Sequence, residues 1–171
     1  LKRALSVAQA MARGEGPPLL TLAGPAGVGK THLALAIGWE FVEQAAWVVY
    51  WQTEEMLGAL RSGYDRQAVA MRNNMAPQEP TYDTLMRHLK ECHLLIFDDL
   101  GVEKATEWAE TKLDSIVDWR YLRDLPMVVC TNAKQEELSK RIADRLGDTR
   151  KGLVVAITAP SYRTAPNKRE L

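Results

Sequence analysis

Eight consecutive residues, Gly24-Pro25-Ala26-Gly27-Val28-Gly29-Lys30-Thr31, constrain the fold more than any other stretch of this chain. They match Gly-x-x-x-x-Gly-Lys-Thr in full, a pattern that needs a strand before it and a helix behind it. Both are legible. Leu19 to Ala23 is a short apolar run, and Lys30 to about Gln44 sets Leu33, Leu35, Ala36, Ile37 and Phe41 at helical spacing. Gly24 and Gly29 permit backbone bends that a Cβ would obstruct, so successive N–H groups converge on one anion. The positive end of the following helix adds to that site. The loop therefore predicts a cradle for a nucleoside triphosphate, ATP, built by Gly24, Pro25, Ala26, Gly27, Val28, Gly29, Lys30 and Thr31. Lys30 is expected to reach the β- and γ-phosphates and the Thr31 hydroxyl to bind Mg2+. His32 adjoins the cradle in the first helical turn and reads as a surface neighbour of the phosphates rather than as a base.

The remaining pattern supplies a frame for that loop. A length of 171 residues suits one globular domain, 1–171, with a helix and linker over 1–18. Leu1, Leu5, Ala8 and Ala12 predict a first helix to about Arg13, stopped by Gly14-Glu15-Gly16-Pro17-Pro18. Trp47 to Trp51, Leu94 to Phe97, Met127 to Cys130 and Leu153 to Ile157 read as four further strands. Thr53 reads as the N-cap of a helix with Met56, Leu57 and Leu60 buried, whereas Ser62 to Pro80 is polar and gives no clear period. Tyr82 to Glu91, Thr106 to Leu122 and Lys134 to Leu146 read as helices. Strands alternating with helices predict an α/β fold around a parallel sheet. The charge is balanced, 22 Lys and Arg against 22 Asp and Glu, so contact with nucleic acid would need a local basic patch. Cys92 and Cys130 match no zinc or redox spacing and read as buried apolar residues in a reducing, cytoplasmic setting. No apolar run approaches the roughly 20 residues of a membrane span. The chain opens on Leu1 without Met or a signal pattern, so a partner-binding segment is expected ahead of it.

Three further groups bear on chemistry. Asp98 and Asp99 follow the apolar run Leu94 to Phe97, which puts carboxylates at the C-terminal edge of the sheet, where open α/β folds bind ligands. Asp98 is the expected Mg2+ partner and Asp99 the base that orients the attacking water. Asn132 follows the fourth strand; if that strand lies between the first and third, its amide can hold the γ-phosphate or the water without adding charge. The same residue can serve instead as a helix N-cap. Arg141 and Arg145, four apart on one helical face, can reach a neighbouring subunit's nucleotide as arginine fingers. They can equally form a solvated face paired with Asp144 or Glu137.

Taken in order, these pieces resemble the AAA+ ATPases of the bacterial helicase-loader type (the DnaC/DnaI family) and the related IstB-like transposition ATPases. The resemblance rests on Gly24 to Thr31, Leu94 to Gly101, Trp119-Arg120-Tyr121, Thr131-Asn132, Arg141 to Leu146 and Ser161-Tyr162-Arg163. It implies a P-loop AAA+ core with a five-stranded parallel sheet in the order 5-1-4-3-2, ATP and Mg2+ at a subunit interface, and homo-oligomers formed on ATP binding. It assigns Asn132 to the sensor-1 position and Arg145, with Arg141 as second choice, to the finger. It places single-stranded DNA over about Thr53 to Glu79, where Arg61, Arg66 and Arg72 accompany Tyr64; the same arginines can be ordinary surface. Two departures matter. Asp99 stands where many such enzymes have Glu, so hydrolysis is expected to be slow. The tail after Ile157 is too short for a multi-helix lid, so the lid is absent or reduced and Arg163 is the nearest lid-arginine candidate. The leading expectation is an ATP-dependent replicative helicase loader. The alternatives are a transposition helper with a transposase partner and a nucleotide-dependent clamp with little turnover.

Overall fold

In the computed structural model, which describes residues 2–76, 80–101 and 106–162, the strands sort themselves by their two faces. The strand β3 (Leu94–Leu100) is buried from Leu94 through Asp98, and β4 (Met127–Thr131) is buried throughout. Such strands belong at the centre of a sheet covered on both sides. The strand β2 (Val48–Gln52) is only partly buried and takes an edge. With β1 (Leu19–Ala23) and β5 (Gly152–Ala156), the parallel sheet runs β2-β3-β4-β1-β5. This is the 5-1-4-3-2 order read from its other edge.

Alternation along the strands divides the core into two layers. On one face Leu20, Leu22, Leu94, Ile96, Val128 and Cys130 pack with Ala8 and Met11 of α1 (Lys2–Ala12) and Ile37 of α2 (Lys30–Glu43). On the other, Leu95, Phe97, Met127 and Val129 meet four helices. These are α3 (Thr53–Arg72), α4 (Tyr82–Glu91), α5 (Glu107–Leu122) and α6 (Lys140–Gly147). Both cysteines are buried and unpaired by disulfide, as expected. Among the described residues no helix is long and apolar enough to cross a membrane.

Three local expectations change. The helix opened near Thr53 runs on to Arg72 through the polar stretch that showed no period. Its inner face continues on small residues, Gly63 and Ala70, which carry little hydrophobic signal. At Gly63 an added Cβ would lie 2.8 Å from the Tyr82 backbone nitrogen, so this close approach of α3 and α4 requires glycine. Thr53 is the first helical residue, not the N-cap; Gln52 holds the capping position. The helix expected over Lys134 to Leu146 is broken into a 3-10 turn (Gln135–Glu137) and α6, whose N-cap Ser139 accepts the Ile142 N–H. The Asn132 side chain therefore does not cap α6.

One buried cation holds the lower edge of the sheet together. Arg120 has no exposed surface, and its guanidinium donates to the carbonyls of Leu89, Lys90, Cys92 and Pro126 and to the Cys92 sulfur. It thereby satisfies the carbonyl end of α4 and the turns that launch β3 and β4. Burial lowers its pKa from the ordinary arginine value and raises that of the Cys92 thiol. Arg120→Ala strips a buried donor from these acceptors and is expected to lower the urea-unfolding free energy by about 3 kcal/mol or more. Leu122→Ala, two residues away and 65% exposed, should change it by less than about 0.5 kcal/mol.

Candidate functional site

The cradle forms where β1 ends. The Gly24 N–H donates to the Thr131 carbonyl at 3.1 Å, and a Cβ at Gly24, where φ is +155°, would run into the Ile157 carbonyl oxygen. Gly27 and Gly29 have φ of +80° and +97°, and Gly29 caps α2 without any side chain. The backbone therefore curls and leaves its N–H groups for an anion. Lys30 is 6% exposed, and its ammonium bridges the Gly24 and Pro25 carbonyls at 2.8 and 3.0 Å. His32 is exposed on the first turn of α2. Beyond β5, the Tyr162 N–H donates to the Gly27 carbonyl at 2.9 Å and ties the following segment to the loop.

The acid pair sits one strand beyond β4. Asp98 is 2% exposed, whereas Asp99 is exposed and adopts φ of +54°, unusual for a residue with a side chain. The pairing of β3 with β4 slips between Phe97 and Leu100. Such a bulge turns successive side chains out of alternation, which explains how adjacent acids acquire such different burial. The Asp98 carboxylate is well supplied with donors. Its Oδ1 accepts from the Thr31 hydroxyl at 3.1 Å and the Asp99 N–H at 3.2 Å, and its Oδ2 accepts from the Tyr50 hydroxyl at 2.9 Å. The Thr53 hydroxyl donates to the Asp98 carbonyl at 3.0 Å, which replaces its expected capping role. Partial burial and the adjacent Asp98 push the Tyr50 phenol up to about 12. Burial, then Asp98, likewise raises the Cys130 thiol. Both neighbours thus keep their protons at neutral pH.

Asn132 follows β4, which does lie between β1 and β3, and is exposed. Its loop is fastened by Thr131, 3% exposed, whose hydroxyl donates to the Leu100 carbonyl at 2.6 Å and accepts the Ala133 N–H at 3.0 Å. Gly101, with φ of +88°, allows that loop against the acid pair; a Cβ there would lie 2.7 Å from the Ala133 Cβ. Cradle, acids and amide therefore meet at one edge of the sheet.

The two arginines do not join them. The helix α6 descends from the β4 end towards the start of β5, and Arg145 lies low on it. Its Nε is 2.8 Å from Asp118 and its guanidinium stands over the Tyr121 ring at 4.6 Å. Arg141 is 62% exposed, with looser contacts of 4.0 Å to Asp114 and 3.8 Å to Asp118. The partners are thus α5 carboxylates rather than Asp144 or Glu137, because the packing of α5 on α6 aligns opposite charges. On α3, Arg61 stacks on Trp108 at 4.8 Å, Arg66 donates to the Pro80 carbonyl, and Arg72 is exposed at the helix end. Tyr64 is 64% exposed and meets Tyr82 edge-on. Arg163 lies outside the described residues.

Lys30, Thr31 and Asp98 suit a triphosphate with a divalent cation. Lys30 and Asp98 are both buried and neither has an ion-pair partner among the described residues, so each is a charge held ready for a counter-charge. Tyr50 and Thr53 were not foreseen: Tyr50 reads in sequence as one more aromatic in a strand, and Thr53 as a cap.

Solved proteins share this architecture. The crystal structure of the DnaC helicase loader matches with a TM-score of 0.70 at 19% identity, over 91% of this chain and 89% of that one. AMPPCP-bound DnaA from Aquifex aeolicus matches with 0.70 at 20%, over 91% and 46%. The fold is that of the AAA+ core, here carrying a P-loop. Within that class, the chain belongs to the IstB-like ATP-binding protein family, whose model matches residues 15–168. The replicative helicase loader DnaC of Escherichia coli is 27% identical over 150 residues, which are 86% of this chain and 57% of that protein. A putative insertion sequence ATP-binding protein of Sinorhizobium fredii, y4pL, is 32% identical over 104 residues, 61% of this chain and 37% of its own. The chain thus spans little more than half of the loader it resembles.

The Gly24 geometry gives a direct check on the cradle. Gly24→Ala is expected to weaken binding of a fluorescent ATP analogue about tenfold or more, equivalent to about 1.4 kcal/mol. Backbone strain of about 1–3 kcal/mol should also lower the thermal midpoint by about 2–12 °C.

Proposed function

We propose that this chain is the ATP-hydrolysing AAA+ module of a replicative helicase loader, acting in the cytoplasm during replication initiation. The single observation that carries the catalytic part is the hydrogen bond from Thr31 to Asp98, which joins the phosphate loop to the buried acid. A Mg2+ ion bound with ATP would supply charge neutralisation for the phosphates. The chain would do the rest: Lys30 would balance the β- and γ-phosphates, with Thr31 and Asp98 holding the metal. Asp99, projecting into solvent from its bulge, would orient the attacking water, and Asn132 would hold the γ-phosphate by hydrogen bonds. Arg145 or Arg141, pointing away from its own cradle, would complete a neighbouring subunit's site in a nucleotide-driven homo-oligomer. The exposed carboxylate of Asp99, with a short side chain, suits slow turnover that marks time rather than delivering flux.

The helicase partner is supported by likeness to DnaC across most of this chain. The α3 surface offers Tyr64 with Arg61, Arg66 and Arg72 for single-stranded DNA, since stacking faces and cations suit bases and phosphates. A second reading, a transposition helper that presents DNA to a transposase, is supported by the higher identity to y4pL over a shorter span. Recovery of a transposase rather than a helicase with the full-length protein would favour it.

Steady-state hydrolysis tests the enzyme. Asp99→Asn should lower turnover by about 10²-fold while leaving analogue binding in place. Lys30→Ala and Arg145→Ala should each be inactive alone but regain activity on mixing, because one subunit's finger can serve the other's intact cradle. A wild-type rate no higher than that of Lys30→Ala, with single-stranded DNA present, would refute hydrolysis; failure to complement would refute the Arg145 finger. For DNA, Arg72→Ala should reduce the slope of log affinity against log salt by about 0.7, as expected for one lost phosphate contact.

A further inference from the structure

Tyr50 enters the site from the exposed edge strand. Its Cα faces Ile96 across the β2–β3 ladder, while Gln52, two residues on, faces Asp98. From that position the ring runs up the sheet edge, and its hydroxyl meets Asp98 Oδ2 at 2.9 Å. Tyr50 as a residue remains 38% exposed, so core filling is not its main contribution.

The consequence follows from the torsion of an aspartate. The terminal χ2 of Asp is broad and nearly two-fold, so a carboxylate held at one oxygen can still rotate. Thr31 and the Asp99 N–H both address Oδ1. Tyr50 addresses Oδ2 at 2.9 Å, and the buried Cys130 thiol, a weaker donor, also interacts with the Asp98 side chain. With donors at both ends the plane of the carboxylate is fixed, and Oδ1 is kept beside the Thr31 hydroxyl. A hydroxyl can supply this without introducing a second charge beside the metal position.

We propose that Tyr50 is a positioning residue for Mg2+, holding the buried Asp98 carboxylate in the one rotation that lets Asp98 and Thr31 receive the ion together. This rests on the proposed reading of the site as one for ATP and Mg2+. Tyr50 itself touches neither phosphate nor metal in this assignment. It acts through Asp98, as groups around metal ligands commonly do, with effects on metal affinity of about 10–100-fold.

The test is a binding measurement on the full chain with N-methylanthraniloyl-ADP, titrated with MgCl2 and compared with the same nucleotide in EDTA. Tyr50→Phe, which keeps the ring, is expected to raise the Mg2+ midpoint about tenfold or more. It should leave the affinity in EDTA unchanged, which also reports an intact cradle. In an Asp98→Asn background the same change should add less than about twofold, since the partner's charge is gone. An unchanged midpoint overturns the proposal. So does a lowered one, which would mean that the phenol competes with the ion. An equal loss with and without Mg2+ overturns it too, because the effect would then lie in the pocket as a whole. Wild-type protein that binds nucleotide without any response to Mg2+ would sink the site's proposed chemistry and Tyr50's part with it. A wild type that responds while Tyr50→Phe matches it removes only the latter.

Discussion

A carboxylate buried at the end of a central strand must be surrounded by donors, and the upper half of this structure is arranged to provide them for Asp98. Removing an ionised group from water costs several kcal/mol unless hydrogen bonds replace the lost hydration. Here the replacements come from separate elements: Thr31 from the start of α2, Tyr50 from β2, and the Asp99 amide from the bulge in β3. Thr53 fixes the adjoining carbonyl from the start of α3. The edge strand and two helices are thereby referred to a single point on β3. The buried ammonium of Lys30 sits on the neighbouring loop, bonded to carbonyls rather than to an acid. Among the described residues neither Lys30 nor Asp98 has an ion-pair partner.

Much of this was legible in the chain because the relevant signals are local. The cradle is fixed by glycine spacing, the central strands by uninterrupted apolar runs, and the strand order by the resemblance that those motifs carry. The Tyr50 contact was hidden because it depends on register: only the pairing of β2 with β3 brings the phenol near Asp98. Thr53 misled for a related reason. A threonine before Glu54 and Glu55 has the composition of an N-cap, yet its hydroxyl is taken by a carbonyl remote in sequence. The outer half of α3 escaped because its inner face is built on glycine and alanine, whose packing value lies in closeness rather than hydrophobicity.

The arginines of α6 are surface residues in this structure, and the finger role proposed for them must compete with the contacts they already make. Arg145 spends its Nε on Asp118 and its flat face on Tyr121, while Arg141 is held more loosely. On the proposed shared site, a neighbour's phosphate must draw Arg145 away from an existing partner, whereas Arg141 gives up little. Exposed contacts such as those of Arg141 are worth only about 1 kcal/mol or less, so a phosphate cluster can outcompete them, whereas the part-buried Arg145–Asp118 pair is held more firmly. The descent of α6 away from its own cradle is what makes a contribution between subunits geometrically reasonable.

Thr131 gives the site one last property. Its carbonyl receives the Gly24 amide, its hydroxyl reaches the Leu100 carbonyl, and the same hydroxyl receives the Ala133 amide. Three loops that diverge in sequence are therefore riveted to one residue at the end of β4. Displacing Thr131 would release all three at once. The phosphate loop, the acid turn and the asparagine turn should behave as a single cooperative unit in local unfolding, so the machinery is either assembled whole or lost whole.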